Sequence, residues 1–150
     1  VAIRDDIKVE ELKLSPSNKW ISAKAALKDI EVDDRASLKI SKRQELLWYA
    51  INEGELFSKI TPGKNFTQRK LARNQPSFTL TATDSTYHWA EPRYLSFQEC
   101  KRLGSFPDNY KAKNDKIGKY MIGMSVPPKM TEKVARAVCQ QWLGVDYADN

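Results

Sequence analysis

Pro92-Arg93-Tyr94-Leu95-Ser96-Phe97-Gln98-Glu99-Cys100-Lys101-Arg102-Leu103-Gly104-Ser105-Phe106-Pro107-Asp108-Asn109-Tyr110 is the stretch on which the reading of this chain turns. Ser96-Phe97-Gln98-Glu99 has the form of a capping box, in which a serine hydroxyl accepts from a backbone N–H three residues on and the glutamate reaches back to the serine N–H. It predicts a helix running through Cys100 to Leu103, with Gly104 as a left-handed terminator before Phe106-Pro107-Asp108. A second stretch, Ile122-Gly123-Met124-Ser125-Val126-Pro127-Pro128, leads into the last helix, because proline is well suited to a first helical position. In that helix Met130, Val134, Val138 and Trp142 recur every four positions, Ala135 and Leu143 widen the apolar stripe, and Gly144 ends it.

Working back toward the amino terminus, Ser77-Phe78-Thr79-Leu80-Thr81-Ala82 alternates β-branched, aromatic and polar residues and predicts a strand. Pro62-Gly63 marks a turn. Ser41-Lys42-Arg43-Gln44 is a further capping box, opening a helix whose expected apolar stripe is Leu46, Leu47, Ala50 and Ile51 and whose stop is Gly54. Asp29 to Arg35 is polar and loop-like, and Ser22 caps a short helix from Ala23 to Lys28. Val1 to Ile7 is expected to be a short strand running into a loop near Ser15-Pro16-Ser17-Asn18. The fold class is α/β, with α+β character in these residues.

Composition bounds the function. With 150 residues, 41% hydrophobic and 29% charged, the chain can form a cored domain. No apolar run approaches the roughly 20 residues that span a bilayer, and the first residues lack a signal-peptide pattern, so the expected location is cytoplasmic and no membrane partner is expected. Cys100 and Cys139 have no CxxC spacing and there is one histidine, His88, which supports neither a metal site nor a disulfide scaffold. Both cysteines read as buried thiols, and His88 as a satisfied turn residue rather than a general base. The net charge of +6 suits a polyanion. Its distribution says more: no acidic residue occurs from Lys59 through Thr83, whereas Lys59, Lys64, Arg69, Lys70 and Arg73 stand among Gly, Asn, Thr, Gln and Ser. Such a one-signed segment can neutralise phosphates and donate to base edges; its plainer reading is a solvated loop.

The two stretches quoted first resemble, in order, the ninth and tenth conserved motifs of cytosine-5 DNA methyltransferases. The ninth consists of an arginine, Leu-Ser/Thr, a Glu-opened helix, Arg-Leu and a Phe-Pro-Asp-x-Tyr exit. The tenth is usually Ile-Gly-Asn-Ser/Ala-Val-Pro-Pro, with Met124 standing here for the asparagine. Residues 1–6 and 22–29 are similar to the strand and helix that follow the family's eighth motif, and residues 76–82 to the close of its target-recognition region. The resemblance implies three parts: 1–30 as the end of a catalytic-domain strand with a connecting helix, 31–92 as the recognition region, and 93–150 as helices returning to a Rossmann-like catalytic domain largely absent from these residues.

The family reaction adds a cysteine thiolate to C6 of a flipped-out cytosine and transfers a methyl group from S-adenosylmethionine to C5. By resemblance, Lys64, Arg69, Lys70, Arg73, Thr79, Leu80 and Thr81 contact DNA, Arg93 holds the recognition region in place, and Met124, Ser125 and Val126 close one wall of the S-adenosylmethionine pocket. No Pro-Cys pair occurs among these residues, so no catalytic residue is assigned to this chain. The expectation is the recognition and cofactor-closing portion of a restriction-modification methyltransferase. It is expected to act on double-stranded DNA beside an amino-terminal catalytic segment or subunit and to be inactive alone. The alternative is a non-catalytic DNA-binding module or an inactive truncated remnant.

Overall fold

The computed structural model describes residues 9–15, 19–83 and 85–145. The expected strand at the first seven residues, and positions 16–18 of the following loop, lie outside these. Packing divides the chain into two units, 9–15 with 128–145 and 19–127, which are separated at other points than the division at 30 and 92 that the resemblance implies.

The larger unit is built from helices α1 (Ala23–Ala26), α2 (Lys42–Ala50), α3 (Phe97–Leu103) and α4 (Asp115–Met124), with two-residue strands β1 (Arg69–Lys70) and β2 (Thr86–Tyr87) paired in parallel. Its class is therefore mixed helix and strand, dominated by helix. Both capping boxes form. Ser41 and Gln44 close the start of α2, Ser96 and Glu99 that of α3, and Ser22 caps α1, which is two residues shorter than expected.

Two cores hold this unit. One gathers Ala23, Leu27, Leu71, Leu95, Cys100 and Ile122, so that α3 lies against α1 and α4. The other is aromatic: Trp48, Ile51, Phe57 and Tyr87, with the Phe57 and Tyr87 rings stacked 4.7 Å apart and Tyr87 and Tyr94 5.0 Å apart. Stacked rings of this kind add to area burial.

Several expectations are corrected. The inward face of α2 is Gln44, Leu47, Trp48 and Ile51, while Leu46 and Ala50 are exposed. Polar chemistry sets that rotation. Gln44 Nε2 donates to the phenol oxygens of Tyr87 at 3.0 Å and Tyr94 at 2.8 Å, and Trp48 Nε1 donates to the His88 carbonyl at 2.8 Å. Residues 77–82 are not a strand. Among the described residues no neighbouring strand supplies a ladder, and Phe78 and Leu80 are instead anchored by packing on the first core. Gly104 has φ −81°, and the left-handed residue is Ser105 at φ 61°. A Cβ at Gly104 would lie 3.1 Å from both the Cys100 carbonyl oxygen and the Phe106 ring, a tight contact that glycine avoids.

Helix α4 has no counterpart in the sequence reading. Asn114 caps it by accepting from the Ile117 N–H at 2.9 Å. Its glycines are contact points: a Cβ at Gly118 would meet the Phe97 ring at 2.5 Å, and one at Gly123 would meet the Thr81 carbonyl carbon at 2.2 Å.

The smaller unit contains α5 (Pro128–Trp142), ended by Gly144 at φ 63°. The Gln141 amide accepts from the Lys13 N–H at 2.9 Å and donates to the Lys13 carbonyl at 2.7 Å, and Trp142 Nε1 donates to the Glu10 carbonyl at 2.9 Å. Met130 and Leu143 are exposed, Val134, Val138 and Trp142 half-buried. Cys139 is half-buried, correcting its expected burial, whereas Cys100 is buried. Among the described residues no helix is long and apolar enough to cross a membrane.

Candidate nucleic-acid interface

The acid-free segment is pinned at several places. Leu71 and Arg69 donate to the Tyr87 and Ser85 carbonyls at 2.9 and 2.8 Å, Gly54 donates to the Lys70 carbonyl at 2.8 Å, and Phe57 to Gln68 at 2.9 Å. Downstream, the first free N–H groups of α1, those of Ala23 and Lys24, take the carbonyls of Gln75 at 2.8 Å and Arg73 at 2.9 Å. A helix leaves such donors unpaired, and here the segment satisfies them. Between the pins, the chain from 58 to 67 leaves the core and returns.

The cations of this segment have different situations. Lys64 is exposed. Arg73 is exposed but forked onto Glu53, Nε to Oε1 at 2.7 Å, and this contact lowers the Glu53 pKa and raises that of Arg73. Arg69 is half-buried with its guanidinium 4.4 Å from the centre of the Phe78 ring, and its Nε is buried without a hydrogen-bond partner among the described residues. Lys59 pairs with Glu55.

Lys70, also expected at the DNA, has a different situation from the other cations. It is buried, lies 3.7 Å above the Trp48 ring, and donates to the carbonyls of Trp48 at 3.2 Å and Ile51 at 3.3 Å. A cation there satisfies the last carbonyls of α2 and complements its dipole. Burial depresses its pKa, with Glu53 pulling the other way.

Of the expected contact residues beyond the basic loop, Thr79 and Thr81 are exposed and Leu80 is half-buried on the core. The Thr81 hydroxyl is 2.6 Å from that of Ser85.

Arg93 is buried at the junction of three segments. Its Nη1 and Nη2 donate to the two Glu99 oxygens at 2.8 and 2.9 Å, its Nε to Glu91 at 2.8 Å, and Nη1 also to the Tyr94 carbonyl at 3.0 Å. Bridges join Lys39 to Arg93 and Tyr87 to Tyr94. Glu99 thus closes the α3 capping box, accepting from Ser96 N–H at 2.7 Å, and binds Arg93 with the same carboxylate. Burial opposes its ionisation, but Arg93 and Ser96 outweigh it and hold its pKa low.

His88 lies in the turn leading to Arg93. Its Nδ1 accepts from Ala90 N–H at 3.2 Å and its Nε2 is 3.8 Å from Glu99. Burial, reinforced by the Arg93 charge, pushes its pKa down to about 4, so it is neutral near pH 7. The exit of the 92–110 stretch folds back on α3: Arg102 is forked onto Asp108 at 2.5 and 2.6 Å, and Gln98 donates to the same carboxylate at 2.8 Å.

After α4 the backbone turns at Ser125, whose N–H donates to the Ile122 carbonyl at 3.1 Å and whose hydroxyl donates to that of Met121 at 2.5 Å. Met124 and Val126 are exposed.

The family C-5 cytosine-specific DNA methylase matches residues 2–140, and the chain belongs to that family. It is 38% identical over 85 residues to the type II methyltransferase M.BbvI of Brevibacillus brevis, covering 53% of this chain and 22% of that protein. It is 28% identical over 134 residues to the type II methyltransferase M.NgoFVII of Neisseria gonorrhoeae, covering 79% of this chain and 36% of the relative. The chain thus spans about a fifth and a third of these two. To the type II methyltransferase M.AquIB of Picosynechococcus it is 30% identical over 109 residues, 63% of this chain but 78% of that protein, which is therefore itself short. No solved structure matches.

Members of this family use S-adenosylmethionine as methyl donor. At the 124–126 turn Met124 and Val126 offer apolar surface, and Ser125 retains acceptor capacity while its proton is held by Met121, so these are residues that could hold it. Met124 cannot make the polar side-chain contact of the asparagine usual there.

Proposed function

We propose that these residues are the target-recognition and cofactor-closing portion of a DNA (cytosine-5-)-methyltransferase of a type II restriction-modification system, incomplete for catalysis by themselves. In this reading 31–92 carries recognition, while the strand and helix at 1–30 and the helices of 93–150 return to a Rossmann-like catalytic domain. The carrying observation is the crossing of α4 by the recognition segment at Gly123, where Thr81 and Ala82 backbone atoms occupy the space of a side chain. The residues proposed to face DNA and the turn proposed to face the cofactor thereby belong to one packed unit.

Within it, Lys64, Arg69 and Arg73 provide phosphate and base-edge donors, Arg73 by exchanging Glu53 for a phosphate. Thr79 and Thr81 present hydroxyls to the DNA, and Leu80 holds them on the core. Arg93 organises the recognition region through Glu99, Glu91 and Tyr94. S-adenosylmethionine, when bound, supplies the methyl group; Met124, Ser125 and Val126 would line its site and exclude water. The thiolate that attacks the base comes from polypeptide outside these residues, since neither Cys100 nor Cys139 follows a proline.

Mobility shifts on duplex DNA at low and high salt test the recognition half. Binding that weakens steeply with salt is expected, because each phosphate contact releases counterions. Absence of binding at low salt contradicts it.

A further inference from the structure

Phe57 and Phe66 flank the basic excursion and have opposite fates: Phe57 is 0% exposed under Tyr87, whereas Phe66 is 66% exposed. An exposed ring is ordinary on a loose loop. This loop is closed by its own hydrogen bonds. The Thr61 hydroxyl donates to the Phe57 carbonyl at 2.8 Å, Asn65 Nδ2 donates to the Thr61 hydroxyl at 3.0 Å, Lys64 N–H to the Thr61 carbonyl at 3.0 Å, and Gln68 N–H to Asn65 at 3.3 Å. Asn65 adopts φ 56°, a left-handed conformation that turns the chain immediately before Phe66. The ring is therefore held out from a braced turn, next to exposed Lys64, in a segment without negative charge.

An apolar ring braced beside cations suits the stacked bases of a polyanion. Aromatic and aliphatic wedges lower the cost of opening a base step by replacing lost stacking with their own surface. Resting on the DNA-recognition reading above, we propose that Phe66 is a positioning residue that inserts between bases beside the target and assists its extrusion, while Lys64 anchors the adjacent phosphate.

The two contacts differ in salt dependence. Stacking displaces no counterions and a lysine–phosphate contact does. The test titrates the chain with a mixed-sequence duplex and with the same duplex carrying one central mispair, whose opening costs less. The unaltered chain should bind the mispaired duplex several-fold more tightly. Phe66→Ala should lose that preference and weaken binding roughly tenfold with an unchanged salt slope, and Phe66→Trp should restore both. Lys64→Ala should keep the preference and lower the slope by about one. Salt-dependent binding with the same affinity and mispair preference in Phe66→Ala overturns the wedge and leaves DNA recognition standing. No binding of the unaltered chain to either duplex overturns recognition itself. Self-association abolished by Phe66→Ala, with DNA binding untouched, assigns the ring to a second copy and also overturns the wedge. Unchanged melting of Phe66→Ala confirms that an exposed ring was removed without loss of fold.

Discussion

Gly123 and Thr81 stand closer than any side chain allows: a Cβ on Gly123 would lie 2.2 Å from the Thr81 carbonyl carbon and 2.3 Å from its oxygen. The obstacle is backbone, so no rotamer change relieves it. Gly123→Ala should lower stability by about 1–3 kcal/mol, at the upper end because α4 or the 81–82 segment must move. Gly118→Ala meets the Phe97 ring instead, and Phe97→Leu should recover part of its loss. Thermal unfolding of both single variants and of the Gly118→Ala/Phe97→Leu pair distinguishes the two cases; equal rescue of Gly123→Ala by Phe97→Leu contradicts the assignment.

Arg93 and Glu99 are buried together, so removing one partner leaves the other's charge uncompensated. Arg93→Ala should cost about 3–5 kcal/mol. Arg93→Lys should recover little, because an ammonium cannot span both carboxylate oxygens and also reach Glu91. Urea unfolding midpoints of the two variants check this.

Stability should decline on mild acidification. His88 titrates at about 4 when folded, against about 6.5 in an unfolded chain. Below pH 6.5 the unfolded state takes up a proton the folded state refuses, so stability present at neutral pH is lost down to about pH 4, with a slope approaching 1.4 kcal/mol per pH unit at most. Glu99, whose folded pKa is lowered, adds its own loss below its unfolded value near 4.5. Urea midpoints at pH 7, 6 and 5 should fall in the unaltered chain and be flatter in His88→Gln; parallel declines would remove His88 as the cause.

Lys70 and Lys64 should separate fold from binding. Lys70→Met strips the α2 carbonyls of their donor and should lower the melting temperature while leaving the salt slope of DNA binding unchanged. Lys64→Ala should do the reverse. A lowered slope for Lys70→Met would mean that its ammonium leaves Trp48 for DNA.

The sequence made short-range chemistry visible. Ser41 with Gln44 and Ser96 with Glu99 form the expected boxes because partners three residues apart need only one helical turn to meet. What it concealed required contacts at long range. Gln44 looks like a cap and is also a core donor to Tyr87 and Tyr94, which turns Leu46 outward. Lys70 looks like a phosphate ligand, and the fold also gives it a buried place on the last carbonyls of α2. Gly118 and Gly123 each provide a place where another segment touches α4, which no local pattern reveals. Residues 77–82 have strand composition without a strand partner. For the proposed interface, the charge pattern pointed to Lys64, Arg69, Lys70 and Arg73, but nothing in it distinguished the displayed Phe66 from the buried Phe57.

The most direct test of the central claim mixes this chain with a polypeptide carrying the Gly-rich cofactor loop, the Pro-Cys motif and the Glu-Asn-Val motif of the same family, and follows radiolabelled methyl transfer from S-adenosylmethionine to C5 of cytosine in duplex DNA. Transfer by the mixture and none by either polypeptide alone is expected. Methyl transfer by this chain alone, or none by the mixture under conditions where both polypeptides are folded and bind DNA together, would contradict it.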